Sequence, residues 1–163
     1  MANPKGVPEG YHSITPTLIC KNCSAAIDFY KKALGAQELF RMNSPDGKVA
    51  HAELQIGDSI FFVGDEFDMP GCGRSPQTLG GYTGSFYIYV PDVDASFNQA
   101  VIAGGKVNMP VQDMFWGDRY GSIQDPFGHV WGIGTQKEKL TPQQVEERAK
   151  EFYAKMAQQK GAA

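Results

Sequence analysis

IDFYKKALGA, residues 27–36, is the stretch that decides the fold, since it ends a predicted helix that begins at Cys23. Apolar residues recur through this helix at helical spacing, and Gly35 supplies its stop. Residues 93–105, VDASFNQAVIAGG, repeat the pattern 70 positions later, which aligns Ile27 with Phe97 and Gly35 with Gly105. The sequence therefore predicts the same helix twice.

Short strands are predicted around both helices. A β-branched strand, residues 12–20, precedes the first helix, and the segments 37–42, 49–56 and 59–64 follow it. The same order repeats around the second helix, with predicted strands at 85–90, at 106–111, in a segment that ends at 124, and at 129–135. We therefore predict an α+β fold of two βαβββ modules that form curled mixed sheets with concave faces. A C-terminal helix that begins at Thr141 and Pro142 completes it.

These elements divide the chain into five segments. The two modules span 11–66 and 84–137, and a linker loop rich in glycine and proline (67–83) connects them. A flexible arm (1–10) precedes the first module, and a C-terminal helix and tail (138–163) follows the second.

The composition limits the classes of partner. With 20% charged residues, a formal net charge of −3 and a pI near 5.6, the chain has no basic footprint for nucleic acid. No apolar run approaches the ~20 residues that span a bilayer, so we expect no membrane partner. Three cysteines, an odd number, and no signal peptide favour the cytoplasm.

Strand alternation predicts which side chains line the concave faces. These side chains combine hydroxyls, aromatic rings and small apolar groups, which suits a small organic ligand; they are Thr15, Thr17, Ile60, Phe62, Ser85, Tyr87, Tyr89 and Gly132. The segment FWGDRYG (115–121) adds Trp116, Arg119 and Tyr120 at the lip of the second module. The alternative is a structural loop in which Asp118 and Arg119 pair with each other.

The sequence also resembles a known family. The segments IDFYKKALGA and DPFGHVW (125–131) are similar to the vicinal-oxygen-chelate superfamily, which includes glyoxalase I, bleomycin resistance proteins and extradiol dioxygenases. Within it, the chain looks most like the PhnB-like, or 3-demethylubiquinone-methyltransferase-like, branch. The resemblance covers residues 11–137 and implies the fold but no single activity.

The resemblance also implies where a metal ion would bind. The superfamily's metal enzymes use His or Glu on four strands, and those positions hold Thr15, Phe62, Ser85 and Gly132 here. None is an imidazole or a carboxylate. This argues against glyoxalase I or dioxygenase activity, and we expect no metal and no other cofactor.

We therefore predict a metal-independent protein that sequesters or senses a small organic molecule, and, by resemblance, a homodimer. The alternative is a metal-dependent lyase or isomerase with a displaced site at His51 and Glu53, which share one strand face. The offset of 70 aligns this pair with Gly121 and Ile123, which add no ligand. A third interpretation, a scaffold without a ligand, predicts that Phe62, Tyr87 and Tyr89 pack against one another.

Overall fold

The structure is a computed structural model that describes residues 6–160, with side chains described as far as residue 158. Half of the predicted arm, residues 1–5, and the last three residues of the predicted tail, 161–163, lie outside the described residues.

The first module has the predicted order of elements. Its sheet has the strand order β1-β4-β3-β2, in which β1 runs parallel to β4 and the other neighbours are antiparallel. The elements are β1 (Thr17–Cys20), α1 (Cys23–Leu34), β2 (Gln37–Asn43), β3 (Val49–Ile56) and β4 (Ser59–Asp65). Strand β1 is shorter than predicted, because Pro16 has no N–H to donate to the ladder and only its carbonyl bonds to β4.

The second module repeats this architecture in a separate sheet with the order β5-β8-β7-β6. Its elements are β5 (Ser85–Tyr89), α3 (Val93–Ile102), β6 (Lys106–Asp113), β7 (Asp118–Gln124) and β8 (Val130–Gln136). The predicted C-terminal helix is α4 (Pro142–Lys160). The predicted α+β class with two βαβββ modules and a final helix is confirmed.

The two module helices begin in the same way. Asn22 accepts a hydrogen bond from the amide of Ala25, and Asp92, 70 positions after Asn22, accepts one from the amide of Ala95. Each side chain satisfies an N–H group that the first helical turn leaves without a partner. Helix α1 then ends at Gly35, whose φ of 66° is a left-handed conformation that glycine adopts without strain.

The linker contains an element that the sequence analysis did not predict, the short helix α2 (Pro76–Leu79). Glu66, just after β4, accepts hydrogen bonds from Ser75 and Thr78 and pairs with Arg74. The bonds from Ser75 and Thr78 hold the pKa of Glu66 at about 2. The linker is therefore fastened to the end of the first sheet by one carboxylate.

A single apolar core joins the modules. Helices α1 and α3 pack against each other, and Tyr30 of α1 packs its ring against Phe61 of β4 and Trp131 of β8. The hydroxyl of Tyr30 donates to Asp125, which lies in the turn between β7 and β8. Each sheet therefore has one face toward this shared core and one face away from it, which we call its open face.

We found no helix long and apolar enough to cross a membrane within residues 6–160.

Candidate functional site

Four aromatic side chains cluster on the open face of the second sheet. Tyr87 stacks on Tyr120 with ring centroids 5.1 Å apart and packs against Tyr89 at 4.8 Å. Trp116, from the turn before β7, meets Tyr120 edge-on at 5.8 Å. We call these four residues the aromatic cluster. Tyr89 is 66% exposed and Tyr87 41% exposed, so two of the rings keep free surface for a ligand.

One buried carboxylate fixes the orientation of the cluster. Asp118, which is 3% exposed, accepts hydrogen bonds at Oδ2 from Tyr87 Oη (2.8 Å), Tyr89 Oη (3.1 Å) and Trp116 Nε1 (3.1 Å). Burial, and then the bond to Asp118, raise the pKa of both Tyr87 and Tyr89, so both hydroxyls stay protonated donors at neutral pH. The rings are therefore held in place before any ligand arrives.

Two glycines on β8 give the rings room. A Cβ atom at Gly132 would lie 2.6 Å from Cε2 of Tyr120, and one at Gly134 would collide with the hydroxyl of Tyr87. The two glycines are two residues apart and so share the open face. They allow Tyr87 and Tyr120 to lie close against the sheet.

A groove of about 640 Å³ lies beside the cluster, and we call it the inter-module groove. It runs along β5, the outer strand of the second sheet, and the turn between β3 and β4 faces it across the gap. Ser85, Tyr87 and Tyr89 line one side, and Ile14 and Ile60 line the other. Its volume is that of a pocket for a drug-sized molecule.

The open face of the first sheet carries a different group of side chains. Phe62 packs against His51 at 4.8 Å between ring centroids, and Glu53 accepts hydrogen bonds from Tyr11 Oη and, at 3.3 Å, pairs with His51 Nε2. The bond from Tyr11 is the main cause of the lowered pKa of Glu53. Because Phe62 packs here, the packing of Phe62 with Tyr87 and Tyr89 expected for a scaffold without a ligand does not form; only the two tyrosines meet.

The remaining predicted site residues lie around these features. Thr17 of β1 is exposed and pairs with Phe62, whereas Thr15 lies half-buried before the strand begins. Arg119 lies on the opposite face of the second sheet from Tyr120, next along the strand. It forms a two-bond pair with Asp94 of α3 and a further bond to Asp113. Its guanidinium is therefore already occupied, and its partner is not Asp118.

The register of the sheets corrects one detail of the repeat. Phe62 pairs with Glu53 in the first sheet, and Gly132, 70 positions after Phe62, pairs with Ser122 in the second. The counterpart of Glu53 is therefore Ser122, and that of His51 is Tyr120, so the alignment with Gly121 and Ile123 was wrong by one residue. The cause is the second hairpin, which has five residues between Gln124 and Val130 where the first has four between Gln55 and Ile60.

The residues do not fit a divalent metal ion at the four superfamily positions. Phe62 and Gly132 offer no ligand atom, and Thr15 and Ser85 offer only neutral hydroxyls. His51 and Glu53 bond to each other, and within the described part of the chain no group of three or more His, Cys, Asp or Glu side chains is arranged to hold a metal ion.

The three cysteines differ in accessibility and should therefore differ in reactivity. Burial raises the pKa of Cys23 to about 12 and that of Cys20 further, whereas Cys72 in the linker is exposed. We expect a disulfide reagent such as Ellman's reagent to titrate one thiol in the native protein and three after unfolding. Cys72→Ser should remove the fast-reacting thiol, and three rapid thiols in the native state would contradict the buried placement.

Comparison with known proteins agrees with this architecture. The family model described as "Glyoxalase/Bleomycin resistance protein/Dioxygenase superfamily" matches residues 11–133. The chain belongs to this superfamily. An uncharacterized superfamily relative from Mycobacterium bovis is 38% identical over 136 residues, which cover 82% of this chain and 90% of the relative.

Solved structures show the same superfamily fold. TioX from Micromonospora sp. ML1 superposes with a TM-score of 0.61 at 27% identity, over 76% of this chain and 97% of TioX. A PhnB protein from Bacillus cereus, described as a putative 3-demethylubiquinone-9 3-methyltransferase, superposes with a TM-score of 0.59 over 76% of this chain and 99% of that protein. Its 18% identity makes it a match of fold alone.

Two residues of the site were not among the predicted site residues. The sequence predicts Asp118 only as a partner of Arg119. Asp118 and Tyr120 are two residues apart on one strand, however, so their side chains point to the same face of the sheet. Gly134 could have been found from the segment WGIGT (131–135). Two glycines two positions apart leave one face of a strand without side chains, which allows other groups to approach the backbone closely.

Proposed function

We propose that this superfamily member is a metal-independent binding protein that sequesters or senses a small organic molecule at the aromatic cluster and the inter-module groove. The observation that supports this most directly is the exposed pair Tyr87 and Tyr89, held by Asp118 and lining a cavity of about 640 Å³. Rings that are fixed before binding lose little conformational freedom when a ligand stacks on them. Ser85 and Ile60 add one hydroxyl and one apolar wall to the same groove.

Thermal unfolding of chelator-treated protein across a library of antibiotics and metabolites tests this function. We expect at least one aromatic compound to raise the melting temperature, since a ligand at about 100 times its Kd stabilises the folded state by about 2.7 kcal/mol. Tyr87→Ala should abolish the shift, because the central ring of the cluster is lost. Tyr82→Ala, which removes an exposed aromatic ring of the linker, is the matched control that should keep it. A library without a single stabilising compound would remove the support for this function.

Metal analysis of a separate preparation distinguishes binding from the metal-dependent alternative. A lyase or isomerase at His51 and Glu53 requires a third ligand, and neither Tyr11 nor Phe62, which pack on this pair, is a ligand that such an ion prefers. Stoichiometric Zn, Ni, Mn or Fe in protein purified without chelator, lost in His51→Ala, would favour the alternative.

We also propose that the protein is a cytoplasmic homodimer. Phe40 (50% exposed) and Met42 (52% exposed) lie on the open face of the first sheet beside His51 and leave an apolar surface that a second copy of the chain would cover. Sedimentation analysis tests this, and a monomer at all concentrations would contradict it.

A further inference from the structure

The buried carboxylate of Asp118 forms no ion pair with any described residue. Its three donors, Tyr87, Tyr89 and Trp116, are all neutral groups. Across residues 6–158, no lysine, arginine or histidine forms an ion pair with Asp118, and Arg119 is directed to Asp94 and Asp113 instead. Charged groups that are removed from water are normally paired, so an unpaired carboxylate at 3% exposure needs an explanation.

The charge of Asp118 reaches the ligand surface through the tyrosines. A phenol that donates to a carboxylate gains electron density in its ring, and Tyr87 and Tyr89 are the members of the cluster that line the inter-module groove. An electron-rich ring face attracts a cation, and the attraction grows when the cation leaves water. The negative charge of Asp118 therefore makes the two exposed rings more attractive to a cation, although the ligand does not contact the carboxylate.

The rest of the groove has the same electrostatic preference. Asp58 lies at the turn between β3 and β4 and lines the groove opposite the tyrosines. Among the described residues that line it, none is lysine or arginine, and His12 is the one basic side chain. The apolar walls at Ile14 and Ile60 accommodate an uncharged body.

From these observations we infer that the site selects an organic cation, an ammonium or N-alkylated heteroaromatic group on an apolar or aromatic body, with the positive group against the exposed parts of Tyr87 and Tyr89. This inference rests on the proposed function and adds the charge of the ligand to it. Asp118 acts here as a positioning residue through the two tyrosines.

Two dyes of one ring skeleton test the charge preference. N-methylacridinium is a permanent cation, and acridine is uncharged at about pH 8, so their affinities, measured by fluorescence, differ mainly by the charge. We expect the cation to bind about tenfold more tightly, since a cation held against aromatic rings away from water gains affinity of that order. Asp118→Asn, which keeps a side-chain oxygen acceptor, should reduce the preference to about twofold or less.

Further variants keep the test decisive if Asp118→Asn unfolds. Tyr89→Phe retains an exposed ring and removes one of the bonds to Asp118, so the preference should fall by about threefold with both dyes still bound. Asp28→Asn removes the same charge from an exposed position on α1 and should leave the preference unchanged.

The outcomes separate this inference from the function on which it rests. Equal binding of both dyes, or a preference that persists in both Asp118→Asn and Tyr89→Phe, overturns the selection of a cation and leaves aromatic binding in place. Failure of the wild-type protein to bind either dye or any compound of the library overturns both.

Discussion

Asp125→Ala is expected to destabilise the protein by about 3–5 kcal/mol, a large part of the ~5–15 kcal/mol that holds an average domain folded. Oδ2 of Asp125 accepts from Tyr30 Oη at 2.9 Å and Trp131 Nε1 at 3.0 Å, and Oδ1 accepts from the amides of Phe127 and His129 at 2.9 Å each. Removal of the carboxylate would leave buried donors without acceptors, which costs more than the bonds themselves contribute.

Thermal and urea unfolding would measure this loss, with an expected fall in melting temperature of roughly 10 °C. Asp125→Asn keeps one carbonyl acceptor and should fall between the wild type and Asp125→Ala. Asp28→Ala removes an exposed carboxylate from α1 and should stay within about 0.5 kcal/mol of the wild type. A free energy of unfolding for Asp125→Ala within about 1 kcal/mol of the wild type would refute the role of this network.

The same carboxylate makes stability depend on pH. Burial raises the pKa of Asp125, but hydrogen bonds from His129, Trp131 and Tyr30 outweigh it, and the pKa is lowered overall. The unfolded chain therefore binds the proton more tightly than the folded one. The contribution of Asp125 is complete above its unfolded pKa near 3.9 and is lost as the pH falls through the lower folded value.

Gly134→Ala is the second change with a large expected effect, and its main effect should be on ligand binding. The added methyl group would collide with the hydroxyl of Tyr87 and lie 2.9 Å from its Cζ. Because that hydroxyl is the far end of a side chain, the ring can move, but it then loses its bond to Asp118 and its stack on Tyr120. We expect the affinity for acridine and N-methylacridinium to fall about tenfold or more.

Gly81→Ala is the matched control, since a Cβ at Gly81 meets no atom within 4 Å. Fluorescence titration with both dyes would give the affinities, and thermal unfolding would confirm that Gly134→Ala remains folded. Unchanged dye binding in folded Gly134→Ala would mean that the position of Tyr87 does not matter to the site.

The architecture was predictable because it follows from patterns within short segments of the sequence. Helix spacing, the Gly35 stop and the repeat of strands are properties of short segments, and the offset of 70 held for α1 with α3 and for Phe62 with Gly132. The correspondence of Glu53 with Ser122, at an offset of 69, was not predictable in this way. One extra residue in the hairpin turn changes the register, but it does not change the alternation of side chains in the strands.

The site was harder to predict than the fold, because it depends on which side chains meet. Strand parity placed Tyr87 and Tyr89 on one face, and the structure brings them together with Trp116 and Tyr120. Arg119 was predicted to line the ligand site, but its guanidinium bonds to Asp94 of α3 and Asp113 of β6, which lie outside its own segment. Convergence of this kind is a tertiary property that spacing alone does not encode.

The bond from Tyr30 to Asp125 has a consequence for the history of the chain. It joins a helix of the first module to a hairpin of the second, and the rings of Tyr30 and Trp131 pack across the same boundary. The internal symmetry points to an ancestral unit half this size that was copied and fused. The first half now supplies a hydrogen-bond donor to a carboxylate that the second half buries, so we expect the duplicated units to unfold together as one cooperative unit.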